Sequence, residues 1–166
     1  MHIYQVDRLD DKLLDQLSQL LIDVVHNGAS VGFLAPLSAE CAVAYWRQAF
    51  QSNVLLWVVQ DEGRIVGSVQ LVLCTKENGA HRAEIRKLMV HSANRGKGIS
   101  TQLMDTAEAA ALNAGRTLLV LDTQTGSIAE KVYQHLGWVK AGEIPDYAAS
   151  PDGNLHGTTY FYKKIQ

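Results

Sequence analysis

The sequence predicts an α+β fold: a mixed, mostly antiparallel sheet around one central parallel β-α-β pair, flanked by helices. Three observations predict it. Two strand-forming runs meet at Glu62-Gly63 and a third follows Asn78-Gly79, which describes an antiparallel meander of three strands. A glycine-rich turn, "RGKGIS" at 95–100, then joins the third run to an alanine-rich helical pattern. After that helix comes "TLLVLDT", and a strand reached through a helix pairs parallel with the strand before it. At 166 residues and 47% hydrophobic, the chain is expected to form one compact domain spanning 1–166.

Taken in order, the elements begin with a short strand, "HIYQV". Leu13, Leu14, Leu17, Leu20, Leu21, Val24 and Val25 then recur at helical spacing until Asn27-Gly28 supplies a stop. The apolar segment from Gly28 to Leu37 is broken by glycines and Pro36, so it suits neither strand nor helix. It reads either as a loop packed on the core or as a lid with Phe33 at its centre. Ser38 can cap a second helix through about Phe50. In the third strand of the meander, alternation slips near Lys87-Leu88, where Ile85 is followed by an unbroken "LMV". That slip fits a β-bulge, which would free a backbone N–H at Met89 or Val90, and it equally fits a strand buried on both faces. The next helix runs from about Ile99 to Ala114 and is closed by Gly115. A helix in "SIAEKVYQHLG" and late strands "WVKAGEI" and "TTYFYKKI" complete the chain.

Charge and composition exclude several functions. A formal net charge of −2 gives no general reason to expect nucleic acid or an anionic membrane as a partner, so any anion site must be local. The N-terminus "MHIYQVDRLDD" is too charged for a secretory signal, and no apolar run approaches the roughly 20 residues of a membrane span. A cytoplasmic location is the expectation. Cys41 and Cys74 lack a CxxC spacing and are expected to be free, buried thiols. The six histidines have no metal-ligand spacing, so no metal is expected. His91 before the turn reads as structural and His135 as exposed. The sequence does not set the oligomeric state, a homodimer being one option.

The glycine turn carries the first functional signal. A strand, a glycine-rich turn and a helix start aim unpaired N–H groups and the positive end of a helix dipole at one point, which suits a phosphate. Gly96 and Gly98 allow unusual dihedrals and close approach, while Arg95 and Lys97 add charge. A Walker loop is disfavoured because Lys97 is followed by Gly98 rather than Ser or Thr. A dinucleotide fingerprint fails because its third glycine would fall at Thr101.

The flanking residues go further. "KLMVHSANRGKGISTQLM" resembles motif A of the GNAT family of N-acetyltransferases, whose Arg/Gln-x-x-Gly-x-Gly/Ala pattern lies at Arg95 to Ser100. "SIAEKVYQHLGW" resembles that family's motif B, with Ala129, Tyr133, Gly137 and Trp138 in their expected places. Ser100 stands where the family usually has Gly or Ala, and Gly126 where it often has Asn. "HNGASVGF", "LLWVV", "GSIAE" and "SPDGNLH" are similar to the toxin-acetylating branch of the family, which acts on the free amine of a β-lactam such as tabtoxinine-β-lactam.

The resemblance implies direct attack of a small-molecule amine on acetyl-CoA, with no metal. Its cofactor residues would be Leu88, Met89 and Val90 through their main chains, Arg95, Gly96, Lys97, Gly98, Ile99 and Ser100 around the pyrophosphate, and Ser127 and Tyr133. An amine is mostly protonated at neutral pH, so a base is needed. Glu84 and Asp122 are the candidates, Glu84 on the strand leading to the turn and Asp122 at the end of "TLLVLD". Glu84 could instead pair with Arg82 or Arg86, and Asp122 could cap the following turn. Tyr133 matches the family's thiolate-protonating tyrosine, although its helical spacing also suits a core residue. Phe33, Glu84, Asp122 and His156 are the expected acceptor-side residues. A protein amine as acceptor and a non-catalytic acetyl-CoA binder are the two other readings.

Overall fold

The computed structural model describes residues 1–166. Its elements are β1 (His2–Gln5), α1 (Asp11–His26), α2 (Ala39–Ala49), β2 (Val54–Asp61), β3 (Arg64–Leu73), β4 (Arg82–Val90), α3 (Ile99–Asn113), β5 (Leu118–Gln124), α4 (Ile128–His135), β6 (Val139–Ala149) and β7 (Leu155–Lys164). The seven strands form one sheet in the order β1-β2-β3-β4-β5-β7-β6. Only β4 and β5 run parallel. This is the mixed sheet with a central parallel pair that the sequence predicts.

Local chemistry explains where elements start and turn. Asp10 accepts the Leu13 N–H at 2.8 Å to begin α1, and Ser38 accepts the Cys41 N–H at 3.2 Å to begin α2. Glu62 (φ 49°) and Gly63 (φ 79°) form the two-residue turn between β2 and β3, the left-handed pair that suits a twisted hairpin.

Each face of the sheet carries its own core. On one, Leu17, Leu20, Leu21, Val24 and Trp46 of α1 and α2 pack on Leu56, Val58 and Met89. On the other, Leu103, Met104, Ala107 and Ala111 of α3 pack on Val69, Leu71, Ile85, Leu119, Leu121 and Phe161. The start of α3 lies very close to β3: a Cβ on Gly67 would stand 2.9 Å from Ile99 Cγ2 and 3.3 Å from the Met89 carbonyl. Glycine at 67 therefore sets how near the turn before α3 comes to the sheet.

β4 is the pivot of the molecule. It pairs with β5 only at Arg82, Ala83 and Glu84, opposite Leu118, Leu119 and Val120. Beyond Glu84 it follows β3 while β5 follows β7, so the two strands part and a cleft opens in mid-sheet. The expected slip is a real bulge. Gln70 pairs with Arg86 but Ser68 pairs with Met89, leaving one extra residue in β4. Lys87, with φ 49°, takes up the irregularity. Ala83 and Ile85 consequently face the α3 core, whereas past the bulge Leu88 and Val90 do so and Met89 turns to the α1–α2 core.

Three expectations are corrected. β6 and β7 reach further than "WVKAGEI" and "TTYFYKKI", so His156 sits within a strand rather than a loop. Turn-forming Pro145 and Asp146 hid this, and β6 accommodates them because it is an edge strand with an irregular register between Ile144 and Ala148. The Asn78-Gly79 connection is a 3₁₀ turn at Glu77–Gly79, in which glycine is required by closeness, a Cβ there lying 2.5 Å from Cys74 Sγ. The thiols are free but neither is buried: Cys41 is exposed and Cys74 partly so. On α2 the inward positions are Ala42 and Trp46, four apart, which leaves Cys41 facing out. No helix is long and apolar enough to cross a membrane.

Candidate active site

The cleft between β4 and β5 has a main-chain side and a side-chain side. On the first, Gly98 is the N-cap of α3 with φ 74°, and Gly96 has φ 76°. A Cβ at either would meet nothing within 4 Å, so backbone conformation rather than space calls for glycine there. Gly98 offers no capping side chain, the first turn of α3 has no acid, and the first intrahelical bond is from Gln102 N–H to the Gly98 carbonyl at 3.2 Å. The amides of Ile99, Ser100 and Thr101 therefore begin the helix without a side-chain acceptor. Asp23 of α1 fixes the approach to this turn, accepting from Ser92 N–H and Oγ at 2.7 Å each. His91 Nδ1 accepts the Ala93 N–H at 3.2 Å, the structural task its position suggested. Arg95 and Lys97 are exposed.

After the bulge the ladder resumes, with His91 N–H donating to the Val66 carbonyl at 2.9 Å. Alternation along an antiparallel ladder then points Met89 at its partner Ser68 and turns the main-chain groups of Leu88 and Val90 toward the open cleft. Of the two expected donors, Val90 is the one on the open edge. Tyr133 lies on the same side, buried among Trp138 and Phe161 with both ring centroids 6.1 Å away. Burial, reinforced by the charge of Asp122, pushes its phenol well above the ordinary range. Ser127 caps α4 by accepting the Glu130 N–H at 3.2 Å, and buried Glu130 in turn accepts from Gly126 N–H and from Thr159 Oγ1.

The opposite face of the sheet gathers the charged side chains. Leu119 and Leu121 point into the α3 core, so Val120 and Asp122 point the other way, beside Glu84, which is in register with Val120. Glu84 is forked by Arg86, its two oxygens taking Nε and Nη2 at 2.7 Å each. Asp122 Oδ2 accepts from Thr158 Oγ1 at 2.9 Å, so it is held by β7 and does not cap the next turn. Tyr160, in register with Asp122, donates its hydroxyl to Tyr147 at 2.9 Å. That bond, with some burial and the nearby charges of Asp122 and Glu84, pushes the Tyr160 phenol up to about 12.

The Gly28–Leu37 segment covers this face as a loop fastened at three points. The Val31 carbonyl accepts from Lys87 Nζ at 2.7 Å, Ala35 N–H donates to the Pro151 carbonyl at 2.9 Å, and Leu37 N–H donates to His26 Nε2 at 3.1 Å. The Ala35 bond ties this segment to the "SPDGNLH" segment. His156 lies just beyond, half-buried, and strand alternation puts it on the face of Thr158 and Tyr160. Phe33 packs edge-on against Tyr45 at 5.3 Å. Sequence reading missed Lys87, Tyr45, Gln70 and Tyr160. A lysine at the slip in an apolar run was the one available signal; the other three read as ordinary strand and helix residues.

Residues 52–140, more than half of the chain, match the acetyltransferase (GNAT) domain family. The chain belongs to the GNAT acetyltransferase family. It is 33% identical over 92 residues to an N-acetylaspartate synthetase of Danio rerio, covering 55% of this chain and 32% of that one. This GNAT chain spans between 32% and 48% of the length of the curated relatives it matches. Its fold matches an N-acetyltransferase from Staphylococcus aureus Mu50 with a TM-score of 0.82 at 16% identity, covering 100% of both chains. It also matches the yncA protein from Salmonella typhimurium, solved with its cofactor acetyl-CoA, with a TM-score of 0.76 at 16% identity, covering 100% of this chain and 95% of the other.

Proposed function

We propose that this GNAT N-acetyltransferase takes its acetyl group from acetyl-CoA and passes it to the primary amine of a small molecule, in the manner of tabtoxinine-β-lactam or a related amino acid. The observation that carries this reading is the parting of β4 and β5 beyond Glu84. It leaves an unpaired main-chain edge and an uncapped helix start on one side, and carboxylates on the other. The residues fit a coenzyme A. The amides from Gly96 to Ser100 suit a pyrophosphate, with Arg95 and Lys97 adding charge, and the open edge at Leu88 and Val90 suits an extended arm that pairs like a strand.

When bound, acetyl-CoA supplies an acyl carbon activated as a thioester. The chain's own tasks follow from where its groups lie. Asp122, with Oδ1 free of protein bonds, takes a proton from the incoming ammonium, directly or through water. Glu84 lines the site beside it, its two oxygens held on Arg86 and its charge balanced there. The Val90 N–H, on the open edge of β4, would donate to a carbonyl oxygen gaining charge. Tyr133, kept protonated by burial, gives its proton to the departing sulfur. The lid with Phe33, and His156 beyond it, close the acceptor side and favour a small molecule over a peptide, which needs an open groove.

The test is thiol release from acetyl-CoA across small amines, tabtoxinine-β-lactam, amino acids and peptide amines. Turnover confined to small amines supports the reading, and turnover confined to peptides overturns it.

A further inference from the structure

Four charged side chains meet on the acceptor face, and only two of them neutralise each other. Glu84 and Arg86 form a forked pair. Lys87 and Asp122 have no ionic partner in the protein, although each lies within reach of the other's charge. Lys87 is half-buried beneath the lid. Its ammonium donates once, to the Val31 carbonyl at 2.7 Å, and otherwise faces the rings of Phe33 at 5.7 Å and Tyr45 at 5.0 Å. One carbonyl and two ring faces replace water only in part, so two of its three N–H groups still want an acceptor. The protein accepts a left-handed, non-glycine residue at the bulge to put this side chain there.

The surroundings of Lys87 point the same way. Burial and the like charge of Arg86 lower its pKa, while Asp122 and Glu84 act against them. Phe33 comes from the lid, and Tyr45 from α2, where its hydroxyl is spent on Gln70 Oε1 at 3.2 Å. No carboxylate of the protein reaches the ammonium. Across the cleft Asp122 keeps one oxygen free.

Resting on the acetyl-transfer reading above, we propose that Lys87 binds a carboxylate of the acceptor, so that the preferred acceptors are amino acids held between Lys87 and Asp122. The ammonium end goes to Asp122, where it is deprotonated, and the carboxylate supplies the counter-charge that Lys87 lacks. A simple amine satisfies only half of this arrangement.

The experiment measures thiol release from acetyl-CoA with amino acids, their carboxamides and their decarboxylated amines, for the native enzyme, Lys87→Met and Lys87→Arg. The native enzyme is expected to favour amino acids over the matching amines in kcat/KM by roughly thirtyfold or more. Lys87→Met should collapse that ratio, chiefly by raising the KM for amino acids, and Lys87→Arg should retain most of it. Equal use of amino acids and amines by the native enzyme overturns the inference and leaves acetyl transfer standing. A Lys87→Met loss of the same size for every acceptor also overturns it, because Lys87 would then only fasten the lid. No turnover of any amine, with acetyl-CoA still bound, defeats both this inference and the reading it rests on.

Discussion

The two sides of the β4–β5 cleft are built from different material. On the α3 side, the proposed recognition groups are main-chain amides: the uncapped start of α3 after Gly98 and the strand edge at Leu88 and Val90. On the α1–α2 side they are side chains from separate elements: Glu84 and Lys87 from β4, Asp122 from β5, Tyr160 from β7 and Phe33 from the lid. Main-chain groups depend on backbone conformation and hardly at all on residue identity. A shared cofactor can therefore be held one way while acceptors vary with the side chains opposite. The Lys87 bulge is where the strand changes from one kind of surface to the other.

Substitutions on the two sides should separate cofactor binding from turnover. The largest effect is expected for Asp122→Asn, which removes the proposed base and should lower kcat by roughly 10²–10⁴-fold with acetyl-CoA affinity nearly unchanged. If calorimetry showed that this variant had lost acetyl-CoA instead, the division between the sides would break. Next is Gly98→Val. A β-branched residue at φ 74° is strained by about 1–3 kcal/mol, and its relief would move the α3 amides, so acetyl-CoA Kd should rise roughly five- to hundredfold with kcat changed less. Lysine at Lys163 ties β7 to α3 and α4 through Glu108, at 2.8 Å, and the Leu136 carbonyl. Lys163→Met should lower stability by about 1–3 kcal/mol, read as a reduced Tm with acceptor preference unaltered. The smallest effect is expected for His26→Ala, which frees the Leu37 end of the lid. Losing that bond is worth about 1 kcal/mol, or roughly fivefold, and should appear in acceptor KM rather than acetyl-CoA KM.

The same division explains what could be read from the sequence. The glycine turn was legible because left-handed backbone needs glycine at 96 and 98, and the bulge because it shifts alternation near Lys87. The start of α2 at Ser38 was legible because capping is local. The acceptor face was legible only in fragments. Glu84 and Asp122 stood out as acids on apolar strands, but the fork with Arg86 and the bond to Thr158 depend on pairings across the fold. Lys87 looked like an interruption in a strand until the lid and Tyr45 were placed around it. β6 was underestimated because proline is a poor strand residue except at an edge, and edge position is a property of the finished sheet.

The most direct test of the account is calorimetric binding of acetyl-CoA to Asp122→Asn and Gly98→Val, paired with thiol release from the same preparations. The account predicts that Asp122→Asn binds acetyl-CoA like the native enzyme and scarcely turns over, while Gly98→Val binds weakly and turns over once saturated. The reverse pattern, with acetyl-CoA binding lost at Asp122 and retained at Gly98, would contradict it.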